Sequence, residues 1–221
     1  MLKLETGNRQ LNTVKNIIFD FGGVICDIDI PLTEKKFKEF GPPKGGASIS
    51  KEESDRLFFK LVEDFETGRI SPEGFRQTIR AFYQTPPTDQ QIDETWNALI
   101  IGIPDERIRL LESIRNNYRI FILSNSNRIH YEYYLEMFRE QTGYKYFNDL
   151  FEKAFFSFDL GLAKPDPRIF REVISRAGLV PSETLFIDDT LMHVESARSV
   201  GLHALHLSNG KDIVMLFKAN S

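Results

Sequence analysis

The sequence predicts a doubly wound α/β fold with a bundle of helices inserted after the first strand of the sheet. Two observations lead to this class. Short runs rich in β-branched and aromatic residues alternate with helical patterns along most of the chain, and one long stretch holds helical patterns only. The β-rich runs are apolar throughout rather than alternating, which is typical of parallel strands that helices cover on both faces.

Five segments have the pattern of strands buried in a parallel sheet. They are 16–21 (NIIFDF), 119–124 (RIFILS), 153–158 (KAFFSF), 184–189 (TLFIDD) and 203–207 (HALHL). Helices are predicted between them. Residues 104–116 begin with proline and acidic residues, which favour a helix N-terminus. Residues 166–177 and 190–200 precede Gly178 and Gly201, and glycine readily adopts the left-handed conformation that closes a helix.

Residues 31–101 interrupt this alternation, because none of their segments has the pattern of a strand. Helical patterns run through EKKFKEFG, EESDRLFFKLVEDFE, SPEGFRQTIRAFY and TDQQIDETWNALI, and turn-forming residues separate them. We therefore expect a core of residues 15–30 and 102–221, a helical cap of residues 31–101, and a polar N-terminal arm of residues 1–14.

The composition is that of an ordinary globular protein and narrows the class of partners. The chain has 221 residues, of which 41% are hydrophobic and 27% charged, and its formal net charge of −4 argues against a nucleic-acid partner. No apolar run approaches the ~20 residues of a membrane-spanning helix, and the first residues lack the apolar centre of a signal peptide. Cys26 is the single cysteine, so no internal disulfide is possible. We expect a cytoplasmic protein that binds neither nucleic acid nor membrane.

Polar residues lie at or just beyond the carboxyl ends of four predicted strands. They are Asp20, Ser124, Lys164, Asp188 and Asp189. In open α/β sheets the ligand crevice lies outside those ends, so we expect these side chains to meet there. Carboxylates that follow buried apolar runs are costly unless they are paired or bound to a metal. The residue types suit phosphate-ester chemistry, because an aspartate can attack phosphorus while a hydroxyl and an ammonium hold phosphate oxygens.

The three carboxylates also predict a divalent cation. A phosphate and an aspartate nucleophile repel each other, so a cation is needed between them. Magnesium binds a few carboxylate oxygens together with water and phosphate oxygen. Asp20, Asp188 and Asp189 can supply such a site, and Mg²⁺ is therefore the expected cofactor.

Four segments resemble the ordered motifs of the haloacid dehalogenase superfamily: IIFDFGGV, LSNSN, GLAKPDPRIF and LFIDD. The resemblance spans residues 17–207 and implies a Rossmann-like core with an inserted helical cap of the C1 type. It implies that Asp20 is the nucleophile, that Ser124 binds phosphate and that Lys164 balances charge. The metal ligands that it implies are Asp20, the main-chain carbonyl of Gly22, Asp188 and Asp189. A narrower resemblance, carried by FDFGGVICDID, LSNSNRIH and DDTLMHVESA, is to a bacterial group that includes an α-D-glucose-1-phosphate phosphatase.

Two positions depart from the common pattern of phosphatases in this superfamily. Gly22 stands where most have a second aspartate that protonates the leaving group, although the glucose-1-phosphate group also has glycine there. Asp27 and Asp29 are alternative proton donors or sugar ligands, or they only cap the turn into the inserted helices. His193 replaces an asparagine or aspartate that steadies the serine and the lysine. It either takes over that task or is a surface residue of a helix.

The residues that contact the substrate are less well defined by the motifs. The candidates are Asn125, Arg128, Asp27 and Glu66. Glu66 lies in a predicted turn between two inserted helices, and such turns can reach over an active site.

Together these features predict a magnesium-dependent phosphatase of a small phosphomonoester, a sugar phosphate or similar metabolite, which acts through a phospho-Asp20 intermediate. Three alternatives remain: a haloacid dehalogenase that attacks carbon without a metal, a phosphomutase, and a binding or regulatory protein that has lost catalysis. The metal pair in LFIDD argues against the first, and the absent acid–base aspartate argues against the second. Gly22 and His193 keep the third open. We expect a monomer or a homodimer.

Overall fold

The chain is described by a computed structural model that covers residues 14–42, 44, 51–208 and 211–218, together with the backbone of residues 5–6 and 9–10. Two short strands, β1 (Glu5–Thr6) and β2 (Arg9–Gln10), pair antiparallel. Most of the predicted N-terminal arm, residues 1–14, lies outside the described residues. Among the helices that the structure describes, none is both long and apolar enough to cross a membrane.

The remaining strands and helices follow one another as the sequence predicts for an α/β core with an insertion. In chain order they are β3 (Asn16–Phe19), β4 (Asp27–Ile28), α1 (Ile30–Lys38), α2 (Lys51–Glu66), α3 (Pro72–Phe82), α4 (Asp89–Asn97), β5 (Ile100–Gly102), α5 (Asp105–Ile114), β6 (Arg119–Ser124), α6 (Arg128–Thr142), β7 (Lys153–Phe156), α7 (Ser157–Leu160), α8 (Pro167–Ala177), β8 (Thr184–Asp188), α9 (Leu191–Ser199), β9 (His203–His206) and α10 (Ile213–Lys218).

Within the described chain, the core is a five-stranded parallel sheet in the order β7–β6–β3–β8–β9. These strands coincide with the five predicted segments, so the predicted fold class is confirmed. β3 is the central strand, with β6 on one side and β8 on the other. The order of the strands therefore reverses at β3, and the ligand crevice of such a sheet opens beyond the carboxyl end of that strand.

Successive residues of β3 feed hydrophobic clusters on opposite faces of the sheet. Ile17 and Phe19 pack with Phe138 of α6 on one face, and Ile18 packs with Phe170 of α8 on the other. All of these side chains are fully buried. Burying a side chain of this size contributes about 1.5–3 kcal/mol. Because both faces are covered, the strand is apolar from Ile17 to Phe19, between Asn16 at its start and Asp20 just beyond its end.

Helices α1 to α4 lie between β4 and β5 and have a hydrophobic cluster of their own. Its centre is a stack of Phe65 on Phe75, with ring centroids 4.4 Å apart, and Trp96 packs against Phe75. Ser71 and Thr88 cap α3 and α4 by accepting hydrogen bonds from backbone amides of the first turn. The helices expected from residues 31–101 are present, whereas the predicted boundaries of the cap stay a prediction.

The chain passes from the core into the inserted helices after β4 and returns to the core at β5. These two strands form a short antiparallel pair, which was not predicted from the sequence. Asp27 of β4 pairs with Gly102 of β5, and Ile28 pairs with Ile100. The Asp29 amide then donates to the Leu99 carbonyl at 2.7 Å. Strands of two and three residues carry too few positions for a periodic pattern, so only the tertiary pairing reveals them.

A second junction ties α4 to the start of α6 through a buried polar cluster. Trp96 Nε1 donates to Asn127 Oδ1 at 3.2 Å, and the His130 ring stacks on the indole with centroids 4.8 Å apart. His130 Nε2 lies 3.0 Å from the Trp96 carbonyl and acts as its donor, so Nδ1 accepts from the Asn127 amide, also at 3.0 Å. Both nitrogens are satisfied only in a neutral ring. Burial correspondingly lowers the pKa of His130 to about 4, although its hydrogen bond to the Trp96 carbonyl opposes the shift.

This junction predicts a specific loss of stability in acid. The pKa of His130 is depressed from 6.5 in the unfolded chain to about 4 in the fold. Its contribution is therefore complete above pH 6.5 and is lost as the pH falls to about 4, by on the order of 3 kcal/mol. His130→Gln keeps a donor near Nε2 but cannot be protonated. In urea unfolding from pH 7 to pH 4, we expect the free energy of unfolding of this variant to fall less steeply than that of the wild type.

His203→Gln is the matched control, because His203 lies at the start of β9 and donates to the Ser182 carbonyl on the surface. This variant should keep the wild-type pH dependence. Equal slopes for wild type and His130→Gln would show that His130 is not held neutral.

Candidate active site

The register of the sheet sets two carboxylates side by side. Phe19 of β3 pairs with Ile187 of β8, so the next residues on the two strands are Asp20 and Asp188. The Asp20 amide continues the ladder by donating to the Ile187 carbonyl at 2.9 Å. Both aspartates are buried, with 7% of Asp20 and none of Asp188 exposed. The sheet therefore carries two charged groups into a site with little access to water.

Lys164 compensates this buried charge from the loop before α8. Its Nζ lies 2.8 Å from Asp20 Oδ1 and 2.7 Å from Asp188 Oδ2, and its side chain is completely buried. Burial alone would lower the pKa of Lys164, but the two carboxylates outweigh it and raise that pKa above its usual value. Lys164 is consequently an ammonium that bridges the two aspartates.

The two aspartates differ in how completely they are compensated. Burial raises the pKa of Asp20; Lys164 opposes the rise, and the charge of Asp188 adds to it. Asp188 is also desolvated, but Lys164 and His193 together hold its pKa well below the usual range. The difference follows from the number of partners, because Asp188 faces two nitrogen donors and a backbone amide. The negative charge of Asp20 is therefore less well balanced by neighbouring cations and donors than that of Asp188.

His193 reaches this pair from α9. Its Nδ1 lies 3.0 Å and 3.1 Å from the two oxygens of Asp188, and the Thr190 amide donates to Asp188 Oδ1 at 2.7 Å. The sequence left open whether His193 steadies the serine and lysine or is a surface residue. In the structure it contacts Asp188, which in turn holds Lys164. It therefore acts on the lysine through the carboxylate and makes no hydrogen bond to Ser124.

Asp189 lies at the rim of the same edge and is exposed. Its carboxylate occupies the space that a side chain at Gly23 would fill, and Gly23 has a left-handed backbone with φ of +74°. The Asp189 carbonyl accepts a hydrogen bond from His206 Nε2 at 2.9 Å. Gly23 was not among the predicted site residues. Its place in a glycine pair directly after the predicted strand and nucleophile could have indicated that the backbone is closely approached there.

Two sets of groups at this edge could hold a metal. Ligand atoms of Asp20, Asp188 and His193 lie within 4.8 Å of one another. The set expected from the sequence is Asp20, the Gly22 carbonyl, Asp188 and Asp189, and it stays a prediction. Asp20 and Asp188 belong to both sets, so either metal site would include these two carboxylates.

The loop after β6 is held in place by two distant segments of the chain. Ser124 is buried and donates to the Asn125 carbonyl at 3.3 Å. The Asn125 amide makes two hydrogen bonds of 2.8 Å with the backbone N–H and carbonyl of Lys164. Ser126 exchanges backbone hydrogen bonds with the Ser157 hydroxyl. In the structure the Asn125 amide aligns the backbone of Lys164 with the loop that carries Ser124, and its predicted role in substrate binding stays a prediction.

The other predicted substrate ligands from the core have partners within the protein. Arg128 lies over the Phe158 ring, 4.5 Å from its centroid, and pairs with Asp159 at 3.1 Å. Asp27 accepts a hydrogen bond from buried Arg107 at 2.8 Å and lines a cleft of about 460 Å³ beside Asp189. Neither side chain contacts Asp20 or Lys164, so their predicted role in substrate binding stays a prediction.

Glu66 is the predicted substrate ligand from the inserted helices, and it lies at the last position of α2. Its side chain is half-buried. Burial raises the pKa of Glu66 to about 7, and the charge of Lys164 is close enough to oppose that rise. The turn after α2 therefore brings a carboxyl group toward the same edge of the sheet.

The family model for haloacid dehalogenase-like hydrolases matches residues 14–201 of the chain. A D-ribitol-5-phosphate phosphatase from Bacteroides thetaiotaomicron is 28% identical over 199 residues, which cover 90% of this chain and 94% of that enzyme. A solved structure of a family enzyme from the same organism has a TM-score of 0.84 at 32% identity, with 93% of this chain and 99% of that chain covered. Another structure of that enzyme, a complex with magnesium and inorganic phosphate, has a TM-score of 0.80 at 31% identity and covers 92% and 99%.

The contact of Gly23 with Asp189 predicts an unusually costly alanine substitution. A methyl group at Gly23 would collide with the Asp189 carboxylate, and alanine also disfavours the left-handed backbone. Gly143→Ala is the matched control, since Gly143 has nearly the same φ of +75° with open space where its side chain would lie. We expect urea unfolding to show a loss of about 1–2 kcal/mol for Gly143→Ala and a larger loss for Gly23→Ala. Equal losses would mean that Asp189 moves aside freely.

Proposed function

The chain belongs to the haloacid dehalogenase-like hydrolases, and from this premise we propose that it is a magnesium-dependent phosphatase of small phosphomonoesters with Asp20 as its nucleophile. The observation that carries the proposal is the buried bridge from Lys164 to Asp20 and Asp188, at 2.8 Å and 2.7 Å. A bridge of this kind holds a carboxylate away from water and in a fixed orientation, beside a cation that can also hold a phosphate oxygen.

The donor set at this edge fits magnesium. The carboxylates of Asp20, Asp188 and Asp189 are hard oxygen ligands, and Gly22 can add its carbonyl. Burial raises the pKa of Asp20, Lys164 opposes the rise and the charge of Asp188 adds to it, so negative charge is in excess at this edge. Bound magnesium would compensate this charge and the charge of the phosphate oxygens.

The roles of the other residues follow from their positions. Asp20 attacks phosphorus, and the Lys164 ammonium and the Ser124 hydroxyl bind phosphate oxygens and keep the group oriented. Asp188 and His193 hold Lys164 in place, and Asn125 holds its backbone. In a second step, water attacks the phospho-aspartate and releases phosphate, which returns Asp20 to its starting state.

The proposed substrate class is a phosphorylated polyol or sugar. Support comes from the D-ribitol-5-phosphate phosphatase, which matches the chain over nearly its whole length. The inserted helices α2 and α4 pack against α7 and α6 of the core, and a cover of this kind would exclude water during the first step and open for release. The exposed carboxylate of Asp189 at the rim suits a ligand with many hydroxyl groups, because it can accept hydrogen bonds from a polyol.

Release of phosphate from a panel of polyol, sugar and aryl phosphates tests the function. With magnesium we expect turnover, and with excess chelator we expect none. Asp20→Asn should reduce kcat by about 10⁴-fold or more, since the amide is nearly the same size but is a poor nucleophile. Asp55→Asn, an exposed aspartate on α2, should leave kcat unchanged.

A binding measurement separates a lost nucleophile from a lost fold. Beryllofluoride with magnesium should raise the melting temperature of the wild type and not that of Asp20→Asn, whereas both should melt alike without ligand. Full hydrolysis by Asp20→Asn, or turnover that ignores chelator, would contradict the proposal. Absence of hydrolysis across the panel would instead favour the binding or regulatory alternative.

A further inference from the structure

The turn between α2 and α3 is built to lie very close to the core. Gly68 in this turn has a φ of +68°, and a side chain there would collide with the backbone carbonyl of Phe158 in α7. Helix α2 packs against α7 as a result. Ser157, at the start of α7, also holds Ser126 in the loop after β6. The turn thus rests on the element that supports the phosphate-binding loop.

Glu66 lies two residues before this contact, at the end of α2. It feels the charge of Lys164, and it adds to the rise in the pKa of Tyr134, whose hydroxyl lies 2.6 Å from the Ser126 hydroxyl. Among the described residues, no donor makes a hydrogen bond or ion pair with the Glu66 carboxylate. A half-buried carboxyl group without a partner is costly in its ionised form. Its pKa is raised to about 7, chiefly by burial, so it holds a proton under mildly acidic to neutral conditions.

Among the described residues of the core, none of the proton donors that the sequence suggested is free to serve the leaving group. Gly22 has no side chain, and a Cβ there would point at Ile28, 3.5 Å away. Asp27 is paired with Arg107, and His193 is bound to Asp188 beneath the sheet edge. Asp29 caps α1 by accepting from the Leu32 amide. Each alternative that the sequence left open is thus engaged elsewhere.

Resting on the proposed phosphatase function, we propose that Glu66 is the general acid that protonates the leaving oxygen of the substrate. The attacking and leaving oxygens of phosphoryl transfer lie roughly in line through phosphorus. Asp20 attacks from the core, so the leaving oxygen departs on the opposite side, toward the inserted helices. Glu66 of these helices is close enough to Lys164 to interact with its charge, and the close approach of Gly68 to Phe158 sets its position while the turn lies against α7.

Protons and electron pairs balance over the two proposed steps. In the first step Asp20 Oδ forms a bond to phosphorus, the bond from phosphorus to the leaving oxygen breaks, and that oxygen takes its electron pair and the Glu66 proton. In the second step water attacks phosphorus as Glu66 accepts its proton, and the bond to Asp20 breaks. Phosphate leaves, and both carboxyl groups return to their starting states. The water enters where the leaving group was, so one carboxyl group serves both steps.

The leaving group decides how much an acid is needed, and this dependence is the test. For Glu66→Gln we compare kcat on para-nitrophenyl phosphate with kcat on the alkyl phosphate that the wild type hydrolyses fastest. The nitrophenolate leaves readily without a proton, so kcat should fall by about tenfold or less. The alkoxide needs the proton, so kcat should fall by about 10²- to 10⁴-fold. Glu63→Gln is the control, because Glu63 is an exposed carboxylate one turn earlier on α2 that pairs with Arg69.

The outcomes separate this proposal from the proposed function. An equal loss on both substrates would assign Glu66 a merely structural role, and no loss on the alkyl phosphate would remove it from catalysis. In both cases phosphatase activity that depends on Asp20 would still stand. A wild type that cleaves only aryl phosphates would also overturn the acid role, since a working acid should allow alkoxides to leave. A wild type without any phosphatase activity would overturn both proposals.

Discussion

The Lys164 ammonium between Asp20 and Asp188 is the interaction on which the rest of the site depends. Two carboxylates on adjacent parallel strands cannot both be buried and ionised without a cation between them. The sheet register brings the carboxylates together, and the loop before α8 supplies the cation. Around this bridge, Asn125 holds the lysine backbone and His193 holds the second carboxylate. Each supporting residue therefore contributes by keeping one charged group in place.

The same electrostatic constraint requires that a carboxyl group brought to this edge by the inserted helices carries a proton. The core edge is rich in negative charge, and a dianionic phosphate adds to it, so a group that arrives protonated is tolerated there. Glu66 can meet this condition because the turn after α2 lies against α7 and shields it from water. An exposed carboxylate in the same place would be ionised and would repel the substrate.

The contacts between core and inserted helices divide into two kinds. At α4 and α6, a buried network of Trp96, Asn127 and His130 is fully hydrogen-bonded, and such networks fix one arrangement. At α2 and α7, the backbone of Gly68 packs directly against the Phe158 carbonyl. The first junction suits a permanent joint, and the second can separate at lower cost. The turn that carries Glu66 is therefore the part of the cover best placed to open.

The sequence by itself determined the five core strands, the position of the inserted helices, the motif residues at the strand ends and the family. These follow from local patterns, because strand burial, helix periodicity and motif spacing are written over a few neighbouring residues. Only the tertiary structure decided which partner each polar residue finds. Asp27 meets Arg107 80 positions away, His193 meets Asp188 rather than Ser124, and Glu66 is desolvated by packing on α7. Such partners and burial depend on how distant elements dock, and no periodicity along the chain encodes that.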